Sequence, residues 1–226
     1  MVFPVVKWRC QVAGLCTMLA MSASAGLMAQ TLSLQLTDAG GNPLAGAVVL
    51  VDTGQPVEPL TDAVMDQVDM QFTPHVLVVP PDTEVNFPNS DDVRHHVYSF
   101  SPAKRFELRL FKGSEAPPVL FDQTGAVVLG CNIHDRMRGF ILVAEQGRHG
   151  FSDNAGEVEL TDLPSGEWSV AVWHPRLQDA APLELGVLAA GTHSLQLDLP
   201  AEAAEAEPEL SPLQRRFRRA AGHAED

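Results

Sequence analysis

Apolar and polar residues alternate over several short stretches of the chain: Leu32, Leu34 and Leu36; Phe106, Leu108 and Leu110; Trp168, Val170 and Val172; Leu195, Leu197 and Leu199. A repeat of two places successive side chains on opposite faces of an extended backbone, so each stretch predicts a strand with one face in a core. Three other runs, Val76 to Val79, Ala126 to Leu129 and Phe140 to Ala144, are apolar throughout and predict strands buried on both faces. Asp38 to Pro43, Asp153 to Gly156 and Leu163 to Gly166 carry the Asp, Asn, Gly and Pro that close turns. No helical period is convincing before residue 200. The expected class is all-β, with sheets packed face to face as a β-sandwich.

Residues 30–63, with Thr37-Asp38-Ala39-Gly40-Gly41-Asn42-Pro43-Leu44-Ala45-Gly46-Ala47, resemble the opening of carboxypeptidase-regulatory-like (transthyretin-like) sandwiches, and residues 146–199 look like the continuation of the same unit. Between them, residues 64–145 carry the metal-ligand candidates. The expected architecture is therefore a second β-sandwich inserted in, or packed on, the first; one enlarged sandwich with ordinary hairpins is the alternative. Residues 200–226 turn to Ala, Glu and Pro and then to Arg215, Arg216, Arg218 and Arg219, the composition of a disordered or weakly helical tail.

The first 29 residues change the setting. Lys7 and Arg9 precede an apolar run from Val12 to Met28, and small residues follow at Ala23, Ser24 and Ala25, which together form a secretory signal peptide. Gly14, Thr17, Ser22, Ser24 and Gly26 interrupt the run, leaving it short of the ~20 apolar residues of a membrane span. Cleavage predicts a mature protein without a membrane span, in a periplasm-type compartment. It also removes Cys10 and Cys16, so that Cys131 is left without a disulfide partner under oxidising conditions, where a lone thiol calls for burial or a bound ion. The formal charge of −14 makes nucleic acid and anionic lipid poor partners. With 45% hydrophobic and 19% charged residues, the chain is folded rather than disordered.

The candidate chemistry lies around that cysteine. In Gly130-Cys131-Asn132-Ile133-His134-Asp135-Arg136-Met137-Arg138-Gly139, a buried strand runs into a thiolate, an imidazole and a thioether and then turns at Gly139 into another strand. Thiolate and thioether suit the cuprous ion, imidazole suits both oxidation states, and a trigonal His₂Cys plane with a weak axial Met is the electron-transfer arrangement. A second histidine must come from elsewhere, and Val85 to Phe100 supplies adjacent candidates in His95 and His96. Neighbouring strand residues face opposite ways, so one of the two should reach the metal.

The pattern Val85-Asn86-Phe87-Pro88-Asn89, five residues, then His95-His96-Val97 resembles the first-ligand region of plastocyanins and amicyanins, which are cupredoxins. The two-residue gap between His134 and Met137 is similar to the short ligand loop of amicyanin. Ser101 to Leu108 and Gly130 to His134 resemble a periplasmic plastocyanin-like group labelled methylamine utilization proteins. The resemblance implies a cupredoxin-like Greek-key sandwich binding one copper ion through His95, Cys131, His134 and Met137. It also implies single-electron exchange with redox partner proteins docking near His134, Arg136 and Arg138. His96 stands where relatives have an asparagine that braces the cysteine loop, which leaves the bracing of this loop open.

Four mixed ligands leave no open position for a substrate, so an electron carrier rather than an enzyme is expected. A copper carrier or storage protein is one alternative. A catalytic site, with water in place of Met137 and Asp135 nearby, is another. Asp91 and Asp92 make a weak hard-cation site. His75, His149, His174, His193 and His223 read as surface or packing residues, and Met65 and Met70 as core.

Overall fold

The computed structural model describes residues 29–113, 116–134 and 136–199; residues 1–28, where a signal peptide is expected, residues 114–115, Asp135 and the segment from residue 200 lie outside them. Seventeen strands and one short 3₁₀ turn, Pro175–Leu177, make the described part all-β. They are β1 Gln30–Asp38, β2 Val48–Asp52, β3 Ala63–Val64, β4 Asp66–Val68, β5 Gln71–Thr73, β6 Val76–Val79, β7 Thr83–Asn86, β8 His95–Ser99 and β9 Phe106–Phe111. The rest are β10 Val119–Phe121, β11 Gly125–Gly130, β12 Arg138–Val143, β13 Arg148–Phe151, β14 Glu157–Leu163, β15 Glu167–Trp173, β16 Leu183–Ala189 and β17 Gly191–Leu197.

Four sheets face one another in turn: β10-β7-β3, β6-β12-β11-β8-β9, β13-β2-β15-β16 and β14-β1-β17, with β4 and β5 as a separate hairpin. Alternation along the strands deals the apolar residues into three cores. In β12, Ile141 and Val143 face the first core with Val85, Phe87, Leu129 and Cys131. Phe140 and Leu142 face a middle core shared with Val48, Leu50, Val76, Ala126 and Trp173. In β2, Val48 and Leu50 enter that middle core, whereas Val49 and Val51 enter the third with Leu32, Leu34 and Leu36. The uniformly apolar runs thus belong to one inner sheet, β6-β12-β11-β8-β9, where strands β6, β11 and β12 pack against cores on both faces. Alternating β1 lies in an outer sheet, with Leu32, Leu34 and Leu36 buried.

The first strands are held by much later ones. β1 pairs with β14 and β17, and β2 with β13 and β15. The Ser152 hydroxyl is buried, receiving the Ala47 N–H at 2.9 Å and donating to the Leu44 carbonyl at 2.6 Å. Gly156 closes the adjoining turn at φ +78°, where a Cβ would lie 2.3 Å from the Leu36 carbonyl oxygen, so both the backbone angle and the close approach require glycine.

Two local expectations shift. Gly139 is an inner residue of β12 rather than the turn before it: a Cβ there would lie 2.6 Å from that of Phe72, so the glycine lets β5 close against β12. Met65 is buried as expected, but Met70 is 53% exposed, because it sits at φ +58° in the tight turn between β4 and β5.

Candidate metal centre

Three segments bring the donors together. β8 opens on His95, which faces Cys131, while the adjacent His96 faces the other way toward Glu107 and Tyr98, and both are buried. β11 ends at Gly130 and delivers Cys131 to the rim of the first core. The following loop folds back tightly, the Met137 N–H donating to the His134 carbonyl at 2.9 Å, which returns His134 toward the cysteine.

The Nδ1 atoms of His95 and His134 are 3.2 Å apart, and Cys131 Sγ lies 4.0 Å from the first and 3.8 Å from the second. Imidazole nitrogens and a thiolate bound to one first-row ion at ~2.0–2.3 Å in a trigonal plane would stand about 3.5–3.8 Å apart. The triangle is close to that size. His95 and Cys131 are buried, while His134 is half-buried. Met137 is buried in the same core as Cys131. His96 is not in the cluster: its Nε2 hydrogen-bonds Glu107 Oε1 at 2.9 Å, which holds that exposed carboxyl below its usual range.

Asp91 completes the support. Its Oδ2 takes the far nitrogen of His95, Nε2, at 2.7 Å and the Met70 N–H at 2.9 Å, and its Oδ1 accepts the Asp69 N–H. Burial opposes ionisation of Asp91, but the Met70 N–H, the His95 ring and the Asp69 N–H outweigh it and hold the carboxyl below the usual carboxylate range. A carboxylate on Nε2 keeps that nitrogen protonated and leaves the Nδ1 lone pair directed at the other donors, the usual outer support of a metal-binding histidine. Sequence reasoning placed Asp91 in a weak hard-cation site instead. The signal available was an acid four residues before His95, but outside a helix that spacing does not bring two side chains together.

The remaining expectations distribute as follows. Arg94, Arg136 and Arg138 are exposed, and none joins an ion pair among the described residues, where Asp91 pairs with His95 and Asp92 with Lys112. His174 caps the 3₁₀ turn by accepting the Arg176 N–H, His193 hydrogen-bonds the Ala189 carbonyl, and His75 and His149 lie at the surface. No helix among the described residues is long and apolar enough to cross a membrane.

No protein-family model and no curated protein matches the chain. Among solved structures it is similar to a copper-containing nitrite reductase from Thermus scotoductus, at 26% identity and a TM-score of 0.36 over 49% of this chain and 28% of that one. It is also similar to a purple cupredoxin from Nitrosopumilus maritimus, at 21% identity and 0.34 over 37% of this chain and 100% of that one. A reduced amicyanin variant matches at 20% identity and 0.34 over 44% of this chain and 99% of that one. The chain thus spans little more than a quarter of the nitrite reductase's length. These likenesses are partial, and what the cluster can bind follows from its own donors: a buried cysteine sulfur and two imidazoles, one buried and one half-buried, within 4.8 Å of one another.

Proposed function

We propose that this chain is a secreted blue copper protein of the cupredoxin class, carrying single electrons between redox partners in a periplasm-type compartment. The observation that carries this reading is the convergence of Cys131 Sγ with the Nδ1 atoms of His95 and His134 within one core. His95, Cys131 and His134 would hold the ion, with the buried Met137 as the thioether donor beside them. When bound in such a set, copper alternates between its +1 and +2 states. Asp91 fixes the ring of His95, and burial fixes Cys131 and Met137, so the donors keep one arrangement in both states. Residues 64–145 form the copper unit in this reading, inserted in a transthyretin-like sandwich of residues 30–63 and 146–199. The half-buried His134, with Arg136 and Arg138 after it in sequence, marks the docking face for redox partners.

The test is the visible and paramagnetic-resonance spectrum of the copper-loaded protein beside that of Cys131→Ser. The native protein should show an intense thiolate-to-copper band that reversible reduction bleaches, and the variant should lack it. A spectrum that Cys131→Ser leaves unchanged ends the proposal. A band that does not cycle favours copper carriage over electron transfer.

A further inference from the structure

The middle core opens on one flank into an apolar groove. β6 is an edge strand of the five-stranded sheet and β13 an edge strand of the four-stranded sheet, and the two line a space of about 590 Å³. That is the size of a binding cleft, ~300–1,000 Å³. Val76, Leu77 and Val78 come from β6, His149 and Phe151 from β13, and Pro175 from the 3₁₀ turn. Val76 and Val78 are also members of the middle core, and Phe151 is 46% exposed. No Asp, Glu, Lys or Arg is among the lining residues. An apolar groove beside two edge strands is a place where a fold accepts a further segment of chain.

The chain itself leaves the described fold beside this groove. Leu199, the last described residue, is buried, and its carbonyl accepts from Nη2 of Arg176, the neighbour of Pro175, at 3.3 Å. In residues 200–226 the large apolar side chains are Leu210, Leu213 and Phe217, at the i, i+3, i+7 spacing of one helix face, while Arg215, Arg216, Arg218 and Arg219 surround Phe217. Ten residues separate Leu199 from Leu210, a length that extends to about 35 Å. Such a tether sets an effective concentration on the order of millimolar. A second copy would bring another formal −14 against the first, whereas the tail brings a positive cluster to an acidic chain.

We propose that residues 210–217 dock in this groove of their own chain, with Leu210, Leu213 and Phe217 against Val76, Val78 and Phe151 and the arginines turned to solvent. The docked segment closes the open flank of the middle core. It also covers the edges of β6 and β13, so that neither offers unpaired backbone to another chain. The inference does not depend on the copper reading.

Trypsin cuts after arginine, and cleavage of a docked segment proceeds through its released form, so the rate follows the released fraction. At low protein concentration, cleavage of the full chain at Arg215 to Arg219 should be about tenfold faster in Phe151→Asp than in the parent, whereas Phe151→Leu should keep the parent's rate. The tail sequence is the same in all three proteins. Equal rates in the parent and Phe151→Asp overturn the proposal. Protection that fades on dilution assigns the groove to a second copy and overturns it as well. If Phe151→Asp unfolds, trypsin also cuts at Arg148 and Arg176, and a second measurement decides. Leu213→Ser with Phe217→Ser leaves every groove residue in place, and the His75 and His149 ring resonances of this variant should move from their parental positions. Resonances that coincide in the two proteins overturn the docking.

Discussion

At the scale of the residue, the candidate site depends on how few freedoms each donor keeps. Asp91 holds the far nitrogen of His95 while also taking two backbone N–H groups of the β4–β5 turn. That turn places Asp69 and Met70 at φ +54° and +58°, where non-glycine residues are uncommon, and the carboxylate offsets part of that cost. Met137 has a different role in the proposal: it is buried, and a thioether donates weakly enough to favour the cuprous over the cupric ion only slightly less than a hydrocarbon does. Met137→Leu should therefore keep copper and raise the reduction potential by roughly 60–120 mV, one to two tenfold steps in relative affinity at about 59 mV each for one electron. Folding stability should change by less than about 1.5 kcal/mol, because the swap nearly conserves volume. Voltammetry decides the point: a potential that falls or stays put assigns Met137 to packing alone.

At the scale of the element, β12 ties the site to the body of the protein. Its outer end follows Met137, its inner residues divide between two cores, and Gly139 receives Phe72 from β5. β5 is one arm of the hairpin whose turn supplies two N–H groups to Asp91, so packing at Gly139 and the orientation of His95 are linked through a single short hairpin. Gly139→Ala forces a Cβ against a ring that is itself buried and has nowhere to retreat. Overpacking of this kind costs about 1–3 kcal/mol. The expected outcome in urea denaturation is a lower midpoint with an unchanged slope, together with a displaced thiolate-to-copper band. Adding Phe72→Leu should restore part of both, and a double variant no better than the sum of the singles would break the proposed link.

At the scale of the whole molecule, charge and layering set how partners approach. The chain carries a formal −14, yet Arg94, Arg136 and Arg138, close in sequence to His95 and Met137, are exposed and outside every ion pair of the described residues. With a Debye length of ~8 Å at physiological salt, distant acidic residues are screened while charges at the docking face still act on an encounter. An anionic redox reagent should react faster at low salt and slow as salt rises, and Arg136→Glu with Arg138→Glu should remove that advantage, a loss of about tenfold at low salt. Stopped-flow rates across a salt series provide the check. Profiles identical in the parent and the double variant would exclude steering while leaving the copper assignment standing.

Much of this was legible in the amino-acid order, for a physical reason in each case. Alternation at Leu32, Leu34 and Leu36 specifies an outer strand because the repeat of two belongs to the extended backbone itself. The Cys131 to Met137 segment displays its donor types because ligands on one tight loop need no distant partner to be recognised as a set. The buried runs at Val76 to Val79 and Phe140 to Ala144 announced strands without a solvent face, but four facing sheets were needed to say what covers the second face, since burial is a property of neighbours. Long-range pairing alone decided the rest. It gave Asp91 to the far nitrogen of His95, laid Tyr98 over Gly130, and set the core on the face of β8 that carries His95 and Val97 rather than the face of His96 and Tyr98. Those contacts join residues whose separation along the chain has no fixed relation to their separation in space.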